Sequence, residues 1–436
     1  MKHKAKRRVA GNKIIDDIRY ALTSKPVVLI LSLSAAIRFL FQFLILPNSP
    51  SALGPDEGTY ARLANYVSQG LPVEEFPIYG PRLYNSSRST TLPSAFLIKI
   101  GLDELTAVRT VASVYGITST FLLVLCFIAY LKLRNRTIKE LSSTLNKKFL
   151  FMLGLFAFLP SNFVWSTLGL RESGSQFWSI ATFYLLLKLL NSNSGNSFKF
   201  TVLSATALTL AYGARPSTAL VFSVVALSLF VAVLIKCRRF TPLIAIVLAI
   251  FAGQAFTATP TTPTTPTKIN LFDPVQSLLV VLTYLENKRN ENTFEAQSAL
   301  PKSACSSTAK DLVKILKCTL FEFSYRLFAF LFRPLILFDQ GSKTLTLAAL
   351  ENLSWLILIP LSIWLSLRKK ENAVDRFINL GLTSYVIVFA SAAALYEGNM
   401  GTAFRHKSTI LWPLVFILMI APNVLPKLRS KFTFAS

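Results

Sequence analysis

The chain has 436 residues, 52% of them hydrophobic and 15% charged, with a mean hydropathy of +0.50. That profile excludes an ordinary soluble domain and belongs to proteins that cross the membrane many times. The formal charge of +25 at pH 7 raises nucleic acid as a partner, and the placement of the charges has to decide it.

In chain order, residues 1–26 open with MKHKAKRR and form a basic N-terminal segment. Val27 to Leu46 is an apolar run long enough to cross roughly 30 Å of hydrocarbon, with no small-residue cleavage site behind it. It reads as a retained first span. Further spans are expected at 107–131, 149–165, 174–190, 200–214, 217–235, 241–257, 344–367, 375–396 and 408–425, which makes an all-α polytopic membrane protein of about ten transmembrane helices. The intervening segments alternate in character. One set (MKHKAKRR, KLRNRTIKE, KCRR, LRKK, KLRSK) is basic and belongs in the cytoplasm by the positive-inside rule; the other (GPDEGTY, TLGLRES, GARPS, TPTTPTTPTK, EGNMGTAFRHK) belongs outside. Both termini are therefore expected in the cytoplasm of a multi-pass plasma (inner) membrane protein. The basic balance follows from orientation and contact with anionic membrane lipids, and no nucleic acid is expected.

The chain then divides into the N-terminal segment 1–26, spans one to seven in 27–257 with a first outside loop at 47–106, an outside segment at 258–343, spans eight to ten in 344–425, and a cytoplasmic tail at 426–436. In the first outside loop, Tyr60, Leu63, Ala64 and Val67 repeat at helical spacing and stop at Gly70, so an amphipathic helix begins near Asp56, which is a favoured N-cap type. The second outside segment opens on a Thr/Pro run that favours extended polyproline II and reads as a spacer. After it, Asp273 and Pro274 signal a helix start, and Leu312 to Phe338 forms a Phe-rich stretch interrupted by Glu322, Arg326 and Arg333; both read as amphipathic outer-surface or re-entrant helices. Cys305 and Cys318 fall on this oxidising side, either paired or as two free thiols.

Charges collect at the outer junctions. Asp56 and Glu57 follow the first span; Arg171 and Glu172 stand at the entrance of another; Arg215 precedes Pro216 in a tight turn; Arg333 lies in an apolar run; and Glu397, Asn399, Arg405, His406 and Lys407 gather before the last span. Singly, each has an ordinary explanation as a cap or a snorkelling side chain. Together they suggest a phosphate-bearing lipid beside a catalytic carboxylate, since Arg offers a planar fork of donors and Lys a point charge. Arg38 and Glu351 are set inside spans and either pair with each other or line a cavity.

The order of the motifs PDEGTYARLA, AVRTVASVYGITSTFLLVLCFIAYL, LPSNFVWSTLGLRES and FRHKSTILWP resembles that of the GT-C superfamily of integral-membrane glycosyltransferases, nearest the bacterial protein O-mannosyltransferases and aminoarabinose lipid A transferases. The likeness covers 27 to 235 and 320 to 425. It implies a sugar taken from a polyprenyl-phosphate donor on the outer face and passed to a glycan, lipid or protein acceptor, with Asp56 as general base and Glu57 its neighbour. Arg171, Arg215, Arg405 and Lys407, with Arg333 extending the set, are then candidates to hold the donor phosphate, and Glu172, Glu397, Asn399 and His406 are further substrate-site candidates.

Two rivals stand beside this reading. A glycan polymerase or ligase acting on polyprenyl-diphosphate oligosaccharides would also use outside Arg residues, but the early PDE motif argues against it. A lipid or sugar transporter would place ionisable groups at mid-membrane and often carries an internal repeat, and no repeat is found. No nucleotide fingerprint is present. No metal-ligand spacing is present either, with His3 and His406 far apart and the four cysteines scattered. That leaves a divalent cation, Mg or Mn, shared by Asp56 or Glu57 and a donor phosphate, as the one cofactor option.

Overall fold

The computed structural model describes residues 14–46, 55–77, 80–134, 147–192, 194–237, 312–335, 343–368 and 372–421, with single positions 247, 250, 251, 253 and 289. The Thr/Pro spacer, the helix expected from Asp273, Cys305, most of the span expected at 241–257 and the C-terminal tail lie outside these residues. Regular structure among the described residues is helical, without strands. Five helices are long and apolar enough to cross a membrane: Lys25–Ile45, Glu104–Leu133, Thr346–Leu367, Ala373–Tyr396 and Gly401–Ile420. They coincide with the runs expected at 27–46, 107–131, 344–367, 375–396 and 408–425.

The chain starts with α1 (Ile14–Thr23) and α2 (Lys25–Leu40), and α2 is extended by a π-helical turn over Phe41–Ile45. Three shorter helices follow, α3 (Pro55–Ser68), α4 (Gly80–Asn85) and α5 (Arg88–Lys99). The α3 stripe is buried through Tyr60, Leu63 and Ala64, and the chain leaves the helix at Gly70, whose φ of 73° is the left-handed conformation that glycine adopts without strain. Asp56 is not the cap: Pro55 takes the first helical position and Asp56 the second, so its charge faces the positive end of the helix dipole.

The long α6 (Glu104–Leu133) is capped by Asp103, whose side chain accepts from the Thr106 N–H at 2.9 Å. The run expected as one span at 149–165 is two pieces, α7 (Lys147–Phe158) and α8 (Pro160–Trp165). Pro160 has no N–H to continue the ladder and forces Leu159 into extended backbone (ψ 128°), which breaks the helix. Next come α9 (Glu172–Asn191), α10 (Ser194–Ala214) and α11 (Pro216–Cys237), with Arg215 alone forming the connection between the last two. The described chain ends with α12 (Leu312–Phe332), α13 (Lys343–Leu367), α14 (Ala373–Tyr396) and α15 (Met400–Ile420). Within α12, Glu322 and Arg326 neutralise one another one turn apart at 3.0 Å. Cys318 of the same helix is disulfide-bonded, which removes the reading of two free thiols.

Helix α6 packs on α9, α9 on α10, α11 on α14, and both α13 and α14 on α15. Their shared core is aromatic: Trp412 of α15 meets Phe183, Phe222 and Tyr385 at centroid distances of 5.3, 5.8 and 6.2 Å. Outward, α2 exposes Leu29, Leu33, Ile37 and Leu40, and α13 exposes Leu350, Leu353, Ile357 and Trp364, faces suited to hydrocarbon.

Buried ions are confined to defined partners. At one end of the bundle Asp17, fully buried, accepts from Lys132 at 2.6 Å, Lys188 at 2.8 Å and the Tyr184 hydroxyl at 2.8 Å, tying α1 to α6 and α9. Arg134 and Asp375 pair at the same end. Arg38 and Glu351 do not pair with each other. Arg38 donates to Ser166 Oγ (2.9 Å) and the Ala157 carbonyl (3.1 Å), while Glu351 accepts from the Ser161 N–H (2.6 Å) and Trp355 Nε1 (2.8 Å). Each satisfies a break in the helices around α8.

Glu57, wholly buried, docks α3 onto α6. Its oxygens take both arms of Arg109, at 2.7 and 3.1 Å, and Oε1 also accepts from the Gly169 N–H at 3.1 Å. A Cβ on residue 169 would collide with Val108, so this approach needs glycine. Removing one partner of such a pair strands the other. Glu57→Gln is expected to cost about 3–5 kcal/mol of stability, read as a fall in thermal midpoint, and the double variant Glu57→Gln, Arg109→Met to recover much of it. A Glu57→Gln protein as stable as the wild type would contradict this docking role.

Candidate functional site

The site is built around the start of α15. Asn399 caps that helix, accepting from the Gly401 N–H at 2.8 Å, and so it serves the fold. Successive helical residues point about 100° apart, so Arg405, His406 and Lys407 fan out toward three different walls.

Arg405 reaches outward to α3, donating from Nη1 to Asp56 Oδ2 at 2.6 Å, and its Nε lies 3.2 Å from Glu172 Oε1 at the start of α9. The Asp56 side chain is 50% exposed and that of Arg405 15%. Glu172 Oε1 also takes Arg215 Nη1 at 2.9 Å, which turns Arg215 inward from its interhelical connection. The second Arg215 arm, Nη2, meets His406 Nε2, and His406 Nδ1 abuts Glu397 Oε1. A guanidinium can only donate, so Nε2 accepts and the imidazole proton sits on Nδ1, facing Glu397. Asp56, Arg405, Glu172, Arg215, His406 and Glu397 thus form one continuous chain of contacts.

Arg171 stands beside this chain. It donates to Ser86 Oγ at 3.0 Å and lies 5.9 Å from the centre of the Tyr60 ring, one turn beyond Asp56. Among the described residues neither Arg171 Nε nor Arg405 Nε has a hydrogen-bond partner, and the same holds for Glu172 Oε2. Burial pushes the Tyr60 hydroxyl up. Burial also pushes the Glu172 carboxyl up, but Arg405, Arg215 and Arg171 outweigh it and hold the group below its usual range. Glu397, buried and only partly compensated by Arg215 and Arg405, is pushed up to about 7. The three arginines are thus met by three acidic side chains, Asp56, Glu172 and Glu397, of which burial favours the neutral form of Glu397.

Two expected phosphate ligands stand apart. Lys407 is fully buried and commits its three protons to Asn352 Oδ1 (2.6 Å), the Arg333 carbonyl (3.1 Å) and the Leu331 carbonyl (3.3 Å), with Asn352 also donating to the Pro334 carbonyl at 2.8 Å. It thereby satisfies carbonyls at the C-terminal end of α12. Arg333, in that same turn, donates to the Tyr325 hydroxyl at 3.3 Å. Glu57 faces Arg109 instead of sharing a site with Asp56. Among the described residues no group of three or more His, Cys, Asp or Glu is placed to hold a metal ion.

The sequence shows Tyr60 only as part of the apolar stripe of α3 and gives no signal for Ser86 beyond its place in a serine-rich stretch. Nor does it mark Arg289, which donates to the Ala394 and Glu397 carbonyls at 3.0 and 2.6 Å and so ties a residue of the second outside segment to the end of α14. Comparison with family models, with curated proteins and with solved structures gives no match for this chain.

Glu397 supplies a pH test. Its folded value near 7 is above the ordinary 4.5, so the folded state holds the extra proton between them. Its contribution to stability is complete below about 4.5 and is lost as pH rises through 7. The thermal midpoint of the purified protein is expected to fall by several degrees between roughly pH 5 and pH 8, and the slope to flatten in Glu397→Gln. An equal slope in that variant would assign the pH dependence elsewhere.

Proposed function

We propose that this chain is an integral-membrane glycosyltransferase of the GT-C type, with about ten spans, both termini in the cytoplasm of a plasma (inner) membrane, and a site on the extracytoplasmic face. The observation that carries the reading is the joining of a half-exposed carboxylate, Asp56, to a buried arginine cluster through Arg405. A disulfide at Cys318 fits the oxidising side for the segment before α13, and the five apolar helices fit a membrane setting.

In the proposed reaction the acceptor hydroxyl oxygen attacks the sugar C1 while its proton passes to an oxygen of Asp56. A hydroxyl is too weak an acid to lose that proton unaided, so the base must be in place as the bond forms. The bond from C1 to the phosphate oxygen breaks on the opposite side, which inverts C1 and releases polyprenyl phosphate. Arg171, Arg215 and Arg405 stabilise the negative charge growing on that phosphate, in surroundings where water competes poorly. Lys407 and Arg333 serve the fold in this scheme.

Mass spectrometry of lipids co-purifying in mild detergent tests the proposal. The wild type is expected to carry a polyprenyl-phosphate monosaccharide, Arg405→Ala to lose it by about tenfold or more, and Asp56→Asn to keep it without discharging it. A diphosphate-linked oligosaccharide, or no polyprenyl lipid at all, would contradict the assignment.

A further inference from the structure

We infer that Arg405 masks Asp56 until a phosphate takes the place of the carboxylate, so that the lipid donor must bind before the acceptor; this deepens the transferase reading and rests on it. Asp56 has Arg405 Nη1 at 2.6 Å, and no other ion pair to it is found among the described residues. A carboxylate held this way makes a poor base. Its Oδ2 already accepts from the guanidinium, and protonating that oxygen would leave Arg405 short of its outer counter-ion.

The two carboxylates around Arg405 differ in the property that matters. Glu172 is 3% exposed and pinned by Arg215, so it cannot leave. Asp56 is half exposed and can be released to water at little cost, because an ion pair at such a site is weak. The inner contact is also incomplete: Arg405 Nε lies 3.2 Å from Glu172 Oε1 but is not aligned as a hydrogen bond, and among the described residues Glu172 Oε2 has no hydrogen-bond partner. Arg405 thus has an inner carboxylate that cannot leave and an outer one that can.

A phosphodiester oxygen arriving at Nη1 carries the same single charge as the carboxylate it replaces, so the balance around Arg405 is unchanged. Asp56 is released where it stands, on the first turn of α3 and next to the bound phosphate. No covalent bond changes in this step; one ion pair is exchanged for another. An acceptor that arrives first meets a base already paired and no leaving group. Donor binding supplies both deficits at once, and the order of binding follows from the geometry.

The test uses the full chain in nanodiscs, labelled with a carbodiimide and glycine ethyl ester, with modification of Asp56 read by peptide mass spectrometry. Bound lipid is measured in parallel by native mass spectrometry. Undecaprenyl phosphate is expected to raise the rate of Asp56 labelling about fivefold, the factor that releasing such an ion pair is worth. Undecaprenol, which lacks the phosphate, is expected to leave it unchanged, and Arg405→Ala to label fast throughout. Bound undecaprenyl phosphate with no rise in Asp56 labelling would overturn the exchange and leave the transferase reading standing. If undecaprenyl phosphate does not bind at all, the phosphate site itself is wrong and the exchange falls with it.

Discussion

Three consecutive side chains on the second turn of α15 hold one end of this bundle together. Arg405 binds α3 and the start of α9, His406 binds the turn between α10 and α11 and the end of α14, and Lys407 binds the end of α12 and Asn352 of α13. The 100° step of an α-helix makes this divergence unavoidable once three such residues are adjacent and buried. Buried polar and charged side chains tolerate this only where partners meet them, so the walls supply Asp56 and Glu172 to Arg405, Arg215 and Glu397 to His406, and Asn352 with backbone carbonyls to Lys407. The arrangement explains why six segments converge on this turn of α15.

The bundle is electrically layered. One end holds the Asp17 cluster and the Arg134–Asp375 pair; the other holds the Asp56 to Glu397 chain; between them lies a core of Trp412, Phe183, Phe222, Tyr385 and their neighbours. The two charged ends are not equivalent in character. Asp17 is wholly enclosed and its oxygens are spoken for by Lys132, Lys188 and Tyr184, which is what a structural clamp requires. At the other end the polar atoms are only partly satisfied, and one carboxylate faces outward. Partial satisfaction beside an opening is what a ligand site requires.

Much of the helical scaffold was legible because apolar runs, Gly70 and the Arg215–Pro216 turn act locally. The gathering of Asp56, Glu172, Arg215, Glu397, Arg405 and His406 at one end was legible too, since each falls at a junction of the same kind of loop. What escaped was the choice of partners. Nothing near Glu57 in sequence says that Arg109 will meet it, and nothing near Lys407 says that its protons will go to Asn352 and the carbonyls at the end of α12. Those outcomes are decided by contacts between segments tens to hundreds of residues apart. The division of 149–165 was readable in principle, because the proline at 160 disfavours helix in the residue before it; apolar length overrode that signal.

Electron cryo-microscopy of the full chain in nanodiscs containing undecaprenyl phosphate addresses the central claim most directly. The account predicts phosphate density within hydrogen-bond reach of Arg405 and beside Arg171 or Arg215, at the Asp56 end of the bundle. A phosphate seated instead at the opposite end, near Lys132 and Lys188, would contradict it.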